Sequence, residues 1–247
     1  MSARNLKKTI LVTGCSAGGI GAAVARELAN HGNHLYATAR TASKIPAELL
    51  ELPNVTVLQL DVRSDESVRA AAKAVTDNGA GLHVLVNNAG QGYTMPLLDV
   101  DVAYAQRLHD TNVWGVLRTI QAFADLLIAS QWRVVNVSSV GAVVNTPWIG
   151  RPKPASPLLV YPSPSSLTCI VVGTYASSKA ALNSISDTLR LELAPFNVSV
   201  VTIMVGTVAT PFHANEPALV VSVHPHPGHH QPLGKGRAIK WEHPCPS

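Results

Sequence analysis

Short apolar runs alternate with longer amphipathic segments along most of this sequence. The runs are rich in β-branched residues and predict strands, whereas the longer segments repeat apolar positions at helical spacing. The predicted strands cover residues 9–13, 34–38, 55–60, 83–87, 133–137 and 198–205, and the predicted helices cover residues 20–31, 65–78, 102–131 and 175–193. The central strands are apolar at successive positions, which is typical of a parallel sheet with helices on both faces. We therefore predict a doubly wound α/β fold, in which residues 102–131 form two helices or one bent helix.

Two segments interrupt this alternation. Residues 151–173 contain five prolines and no acidic residue, a composition that excludes a helix or a central strand and predicts an unusually long loop. Residues 218–247 hold five of the ten histidines and show no helical or strand period after about Val223. We expect one domain over residues 1–217, with an anomalous insertion at 151–173 and a divergent, unstructured tail at 218–247.

Composition and charge narrow the classes of protein. Hydrophobic residues make up 47% of the 247 residues and charged residues 14%, which suits one compact domain. The net charge of +4 comes from dispersed residues, so we expect no nucleic-acid partner. No apolar run approaches the length that spans a bilayer, and the first residues lack the apolar core of a secretion signal. These features predict a cytoplasmic protein.

Neither the cysteines nor the histidines form a metal-binding pattern. Cys15, Cys169 and Cys245 include no C-x-x-C pair, which argues against a disulfide framework or a zinc cluster. The histidine-rich residues 224–230 have no carboxylate or thiol at matching spacing. We therefore expect no metal.

A glycine-rich turn joins the first predicted strand to the first helix. Residues 13–21 read Thr-Gly-Cys-Ser-Ala-Gly-Gly-Ile-Gly. Glycines let the backbone approach a pyrophosphate closely, and the helix that follows offers unpaired N–H groups and the positive end of its dipole. A simple tight turn is the alternative. The candidate cofactor contacts in this turn are Gly14, Ser16, Gly19, Ile20 and Gly21.

Other candidate cofactor residues end the next strands. Arg40 follows the second strand, where a guanidinium suits the 2′-phosphate of NADPH better than the free ribose of NADH. Asp61 follows the third strand and the Asn-Asn-Ala-Gly sequence at 87–90 follows the fourth, at the edge where ligands bind in such sheets. A solvated surface arginine and ordinary turn chemistry are the alternatives.

Tyr175 and Lys179 are the most informative pair. They lie four residues apart on one predicted helix, so they share a face, and the ammonium is expected to lower the pKa of the phenol. Such a phenol is a general acid for a carbonyl oxygen. A surface pair is the alternative, but Ser139, at the end of the preceding strand, and Asn112, on the long helix, favour a site.

Together these residues resemble the short-chain dehydrogenase/reductase family over about residues 8–217. The resemblance implies a Rossmann-type domain and a catalytic tetrad of Asn112, Ser139, Tyr175 and Lys179. In the family's scheme the tyrosine delivers the proton and the serine positions the carbonyl. The lysine holds the nicotinamide ribose and tunes the tyrosine, and the asparagine anchors a water for proton relay.

The resemblance also implies further cofactor contacts. Asp61 and Val62 would border the adenine, and the 88–90 sequence would support the adenosine side and the sheet. The implied contacts beyond the glycine-rich turn and Arg40 are Asp61, Val62, Asn88, Ala89, Gly90, Tyr175, Lys179, Val208 and Thr210.

Residues 87–96, 192–200 and 206–210 are similar to the fungal NADPH-dependent 1-acyldihydroxyacetone-phosphate reductases. This resemblance implies NADPH as cofactor and a small, lipid-like ketone as substrate, reduced to 1-acylglycerol 3-phosphate in lysophosphatidate synthesis. It also implies peripheral association with the endoplasmic reticulum or lipid droplets, and a homo-oligomer weakened by the divergent tail. The alternatives are a general carbonyl or hydroxysteroid-type reductase and a non-catalytic product that keeps only nucleotide binding.

The chain departs from the family in one spacing. Tyr175 follows Ser139 by 36 residues instead of about 13, and removal of the 23 residues 151–173 restores the family's value. We hypothesise that 151–173 is a translated intron or gene-model error and that 218–247 replaces the usual ending. A misplaced catalytic group loses rate steeply, so we expect weak or absent activity.

Overall fold

A computed structural model describes residues 7–95, 97–144, 173–217, 220–221 and 239–240 of the chain. Six parallel strands form one sheet in the order β3-β2-β1-β4-β5-β6. The strands are β1 (Thr9–Val12), β2 (His34–Ala39), β3 (Val55–Gln59), β4 (Val84–Asn87), β5 (Arg133–Ser139) and β6 (Ser199–Val205). The strand order reverses between β1 and β4, which opens a crevice at their carboxyl ends. The predicted doubly wound α/β fold is confirmed.

Helices connect the strands, and the periodicity predicts all of them except the second, a single turn. They are α1 (Ile20–Asn30), α2 (Ala47–Leu50), α3 (Asp65–Asp77), α4 (Val102–His109), α5 (Gly115–Ser130) and α6 (Gly173–Leu193). Between α4 and α5, the segment Asp110–Trp114 is a π-helix, so the long predicted helix is a continuous rod with one wide turn. Such a turn adds a residue within the helix, which changes the direction of the side chains on either side of it.

The sheet is covered on both faces by apolar side chains. Neighbouring strand residues point to opposite faces, so Leu11 joins the cluster that includes Phe123 of α5 and Leu182 of α6, while Val12 joins the cluster of α1. One face of α1 consists of small residues, since Ala22, Ala25 and Ala29 are buried against the sheet. Small residues there let the helix, and the turn before it, lie close to β1.

One helical stretch among the described residues is apolar and long enough to cross a bilayer. It is Val102–Ser130, whose most apolar 18 residues have a mean hydropathy of 1.3. Charged residues, including Asp110 and Arg118, interrupt this stretch, so it is not a continuous apolar run. Val116, Ile120 and Phe123 of this stretch are buried against the sheet, and a core helix meets the same criterion.

The structure adds one short strand pair in the tail. β7 (Val220–Val221) pairs antiparallel with β8 (Ile239–Lys240), which the sequence did not predict. The other residues of 218–247 lie outside the described residues, as do residues 151–172 of the predicted insertion. Gly173, the last residue of that insertion, begins α6.

Candidate active site

The glycine-rich turn lies against the start of the 88–90 sequence. Gly14 has φ +75°, and a Cβ built on it would lie 2.9 Å from Ala89 Cα. A Cβ on Gly21 would lie 2.5 Å from the Gly14 carbonyl oxygen. Gly19 precedes α1 as its N-cap residue and makes no side-chain cap hydrogen bond, so the first N–H groups of the helix have no side-chain partner there. The close backbone approach and the uncapped helix fit a dinucleotide pyrophosphate.

Thr13 and Asn88 hold this turn in place. The Thr13 hydroxyl accepts hydrogen bonds from the backbone N–H groups of Asn88, at 2.9 Å, and Ala89, at 3.0 Å. The Asn88 amide donates to the carbonyls of Thr13, at 2.9 Å, and Gly14, at 3.2 Å. Asn88 and Ala89 therefore brace the glycine-rich turn, and Thr13 is a bracing residue that the motif analysis did not single out.

Arg40 and Asp61 lie on the same edge of the sheet. The Arg40 side chain is exposed at the end of β2, and its charge contributes to lowering the pKa of Asp61. The larger cause of that lowered pKa is Arg63, which forms a two-pronged ion pair with the Asp61 carboxylate at 2.8 and 3.1 Å. The sequence analysis missed Arg63 as the partner of Asp61.

Ser139 and Tyr175 meet although 36 residues separate them. A Cβ built on Gly141 would lie 3.4 Å from Ser139 Oγ and 4.0 Å from Tyr175 Cε1, so the two side chains are neighbours, and the hydroxyl acts to lower the pKa of the phenol. The Ser139 Oγ also accepts a hydrogen bond from the backbone N–H of Gly141 at 3.1 Å, which fixes the serine side chain. β5 is two residues longer than predicted because its ladder to β6 continues to Ser139. The strand therefore carries Ser139 to the edge where α6 presents Tyr175.

Lys179 lies on the same face of α6 as Tyr175. Its Nζ is 5.8 Å from the centre of the tyrosine ring and donates a hydrogen bond to the Val137 carbonyl at 2.8 Å. The lysine is 5% exposed, and burial lowers its pKa to about 8. The carbonyl of Val137 anchors the ammonium, a contact that the sequence did not suggest.

The prediction that Lys179 lowers the pKa of Tyr175 is wrong for this structure. Burial raises the phenol's pKa above its usual value, and the carboxylate of Glu216 adds to that increase. The hydrogen bond from Ser139 acts in the opposite direction but is the smaller effect. The phenol is therefore held protonated, in the form that can donate to a carbonyl oxygen.

Asn112 is fully buried in the π-helical segment. Its Oδ1 accepts from the backbone N–H of Gln91 at 2.8 Å, and its Nδ2 donates to the Gln91 carbonyl at 2.9 Å and to Ser178 Oγ at 3.0 Å. A Cβ on Gly90 would lie 3.4 Å from Asn112 Oδ1 and 3.7 Å from Lys179 Nζ. Asn112, Gly90 and Lys179 are thus neighbours.

The loop after β6 forms the opposite wall of the crevice. Val208 and Thr210 face Gly18, Gly19 and Ile20 across an apolar cleft of about 310 Å³. These predicted residues therefore lie beside the glycine-rich turn. The structure brings the predicted site residues to one edge of the sheet, as a doubly wound fold requires.

Residues after this loop close over Tyr175. The ring of Phe212 meets the Tyr175 ring edge to face, with 5.8 Å between centroids. The Glu216 carboxylate pairs with His213 at 2.7 Å and contacts Gly92. No sequence motif marked these residues, because their role depends on how the chain turns after β6.

No group of three metal-binding side chains occurs within the described part of the chain. Cys169, Cys245 and the histidine-rich residues 224–230 lie outside it. The arrangement that is described can orient a carbonyl between a hydroxyl and a phenol, next to a nucleotide crevice.

Comparison with known proteins gives a consistent result. The family model described as short chain dehydrogenase matches residues 8–151 and 165–218. A short-chain dehydrogenase of Penicillium crustosum is 40% identical over 205 residues, which are 83% of this chain and 67% of that protein. The NADPH-dependent 1-acyldihydroxyacetone phosphate reductase of Schizosaccharomyces pombe is 36% identical over 206 residues, covering 83% of this chain and 61% of that protein.

A solved structure also resembles this chain. A short chain dehydrogenase from Burkholderia cenocepacia, in complex with NADP, is 25% identical with a TM-score of 0.69. The match covers 86% of this chain and 78% of that one. Against the two relatives above, this chain spans only about two thirds of their length.

Proposed function

Since this chain belongs to the short-chain dehydrogenase family, we propose that it reduces a lipid-like ketone with hydride from NADPH. Family membership makes it an oxidoreductase that acts on CH–OH or ketone groups with a nicotinamide cofactor. The observation that carries the proposal is the meeting of the Ser139 hydroxyl and a protonated Tyr175 beside Gly141, next to the buried Lys179.

Tyr175 is the proton donor in this proposal. A nicotinamide dinucleotide held by the glycine-rich turn would supply the hydride for the carbonyl carbon. As negative charge develops on the carbonyl oxygen, the phenol of Tyr175 gives it a proton and the Ser139 hydroxyl donates a second hydrogen bond. The raised pKa of the phenol keeps that proton on Tyr175 until the substrate oxygen becomes basic.

Lys179 and Asn112 support the site around Tyr175. The pKa of about 8 leaves Lys179 mainly protonated at neutral pH, so its ammonium can donate to the hydroxyls of a bound nicotinamide ribose. Its anchor on the Val137 carbonyl fixes the ammonium on the ring side of the phenol. The proposed role of Asn112 follows from its bonds to Gln91 and Ser178, which hold the loop that borders the lysine.

NADPH and an acylated phosphate ester are the specific ligands that we propose. The exposed guanidinium of Arg40 is supported as a partner of the 2′-phosphate by its place after β2 and by its influence on Asp61. The relative from Schizosaccharomyces pombe supports 1-acyldihydroxyacetone phosphate as the first substrate to assay. An uncharged long-chain ketone is the matched control substrate, because it lacks the phosphate.

The Tyr175→Phe variant tests the proposed reaction. We expect turnover to fall by about 10²- to 10⁴-fold because the general acid is lost, while the dissociation constant for NADPH stays within about twofold. Oxidation of NADPH is followed by absorbance, and binding by its fluorescence. Tyr36→Phe is the control, because the Tyr36 phenol accepts a hydrogen bond from Asn78, the residue that follows α3. Full activity in Tyr175→Phe would refute the proposal.

A further inference from the structure

A network of alternating charges connects the turn after β3 to the π-helical segment. Arg118 of α5 is at its centre, with Nε 3.0 Å from Asp65 and Nη2 2.7 Å from Asp110. Its Nη1 also donates to the Val62 carbonyl at 3.5 Å. One guanidinium thus joins the start of α3, the start of the π-helical segment and the wall where the adenine is proposed to lie.

A close apolar contact supports the same junction. A Cβ built on Gly115 would lie 2.7 Å from Val62 Cγ2, so Val62 packs directly on the backbone of α5. The Val62 side chain is 5% exposed and cannot move outward without losing this contact. Arg118 therefore holds the polar side of a turn whose apolar side packs on Gly115.

Further charged residues connect this junction to Asp61. Arg63 forms an ion pair with the Asp61 carboxylate, and the charge of Asp110 contributes to raising the pKa of Arg63. The Asp61 backbone N–H is also held, by Ser67 Oγ at 3.0 Å. The position of the Asp61–Val62 pair is therefore set by α3 and α5 as well as by β3.

We propose that Arg118 is a positioning residue for the cofactor, which holds the Asp61–Val62 turn in the shape that receives the adenosine half. This inference rests on the proposed function, since it requires a nicotinamide dinucleotide in the crevice. The Arg118 guanidinium donates to protein oxygens at three atoms, so it acts through Val62 and Asp65. Without it, the dinucleotide must bear the cost of ordering that turn on binding.

Arg118→Gln tests this role through cofactor affinity. We expect the dissociation constants for NADPH and NADH to rise by the same factor, about fivefold to tenfold, because both share the adenosine half. Arg40→Ser is expected to weaken NADPH binding and leave NADH binding unchanged, since it removes only the partner of the 2′-phosphate. Fluorescence titration of NADPH and NADH gives both constants and the fraction of sites that bind.

Two further variants separate positioning from general damage to the fold. Arg133→Gln removes an arginine that bonds Ser199 at the opposite end of the sheet, and we expect unchanged affinity. Gly115→Ala moves Val62 from the other side of the junction and should raise both constants even if Arg118→Gln fails to fold. A purely structural role would reduce the fraction of binding sites and leave the affinity of the remainder unchanged.

The outcomes are distinct. Wild-type affinity in both Arg118→Gln and Gly115→Ala would overturn the inference and leave the proposed function standing. A selective loss of NADPH in Arg118→Gln would also overturn it, because that result would assign the arginine to the 2′-phosphate. A wild-type chain that binds neither nucleotide would overturn the proposed function, and this inference with it.

Discussion

Burial and the proposed function favour opposite protonation states of Lys179. Burial lowers its pKa to about 8, so in the free protein the ammonium loses its proton as the pH rises through that value. The Tyr175 phenol, whose pKa is raised, stays protonated over the same range. The proposed reaction requires that Tyr175 and Lys179 are both protonated, and Lys179 loses its proton at the lower pH.

We therefore predict that kcat/KM for NADPH falls about tenfold for each pH unit above about 8, because this constant reports the free enzyme. A profile measured between pH 6 and 10 locates the fall. In Lys179→Met the residual activity should lose it, and the same basic limb persisting in that variant would contradict the assignment to Lys179.

The same titration of Lys179 changes stability in the opposite direction to activity. Between pH 8 and the higher pKa of an ordinary lysine, the unfolded chain binds more protons than the folded one, so the free energy of unfolding rises with pH. Below pH 8 the cost of burying the charge is present in full. Urea unfolding at pH 7, 8 and 9.5 should show this increase in wild type, and less of it in Lys179→Met.

At the residue scale, the sequence predicted which side chains meet but not their ionisation. Helical spacing was enough to put Tyr175 and Lys179 on one face. The sign of the tyrosine's pKa shift depends on burial and on Glu216, which comes from a distant turn. Arg118 was missed for the same reason, since its partners Asp65 and Asp110 lie on other elements. Arg63 pairs with Asp61 only two residues before it, so that contact is local.

At the scale of elements, a chain of buried polar side chains connects two strands to two helices. Thr119 of α5 donates to Asn87 of β4 at 2.7 Å, and Asn87 donates to Asn136 of β5 at 2.9 Å. Asn136 donates in turn to Ser186 of α6 at 2.8 Å. Each group is buried and has a partner, so this chain fixes α5 and α6 relative to the strands that carry the site.

We predict that Asn136→Ala lowers the free energy of unfolding by about 2–4 kcal/mol, because the Asn87 amide loses its acceptor in a buried position. Urea denaturation measures the change. Asn215→Ala is the control, since its exposed amide bonds the nearby Pro211 carbonyl, and a change within about 0.5 kcal/mol is expected. Equal effects of the two substitutions would contradict the role of the chain.

Most elements were predictable because their apolar periods are long and regular. The π-helical turn was not, because the period of residues 102–131 fits one bent helix as well as two helices. The wide turn matters for the site because it carries Asn112, whose buried side chain bonds both Gln91 and Ser178. The end of β5 was underestimated because Ser138 and Ser139 are polar, although their ladder to β6 continues.

At the scale of the whole molecule, the strand order determined where the site would form. Alternation of strands and helices predicted the sheet, and the edge with the carboxyl ends then followed from topology. The Phe212–Glu216 turn could not be predicted, because its position depends on contacts with Gly92 and Tyr175. The interpretation of residues 151–172 as an insertion stays a prediction, because they lie outside the described residues.

The contacts between α6 and the rest of the molecule have a further consequence for how the protein could be assembled. β6 pairs with β5 at seven positions, and Leu182 and Leu189 of α6 share a core cluster with Phe123 and Leu127. None of these contacts depends on a peptide link from 144 to 173. Two separately synthesised pieces, 1–158 and 159–247, should therefore recombine into one nucleotide-binding particle.

Complementation of this kind is measurable by the rise in NADPH fluorescence on mixing. Pieces divided inside α6, at 182 and 183, are the control and should fail, because that cut separates residues of one buried helical face. Failure of both pairs would show that the chain must be continuous for the fold to form. Success of the first would mean that Ser139 and Tyr175 need only a common scaffold, whatever joins them along the polypeptide.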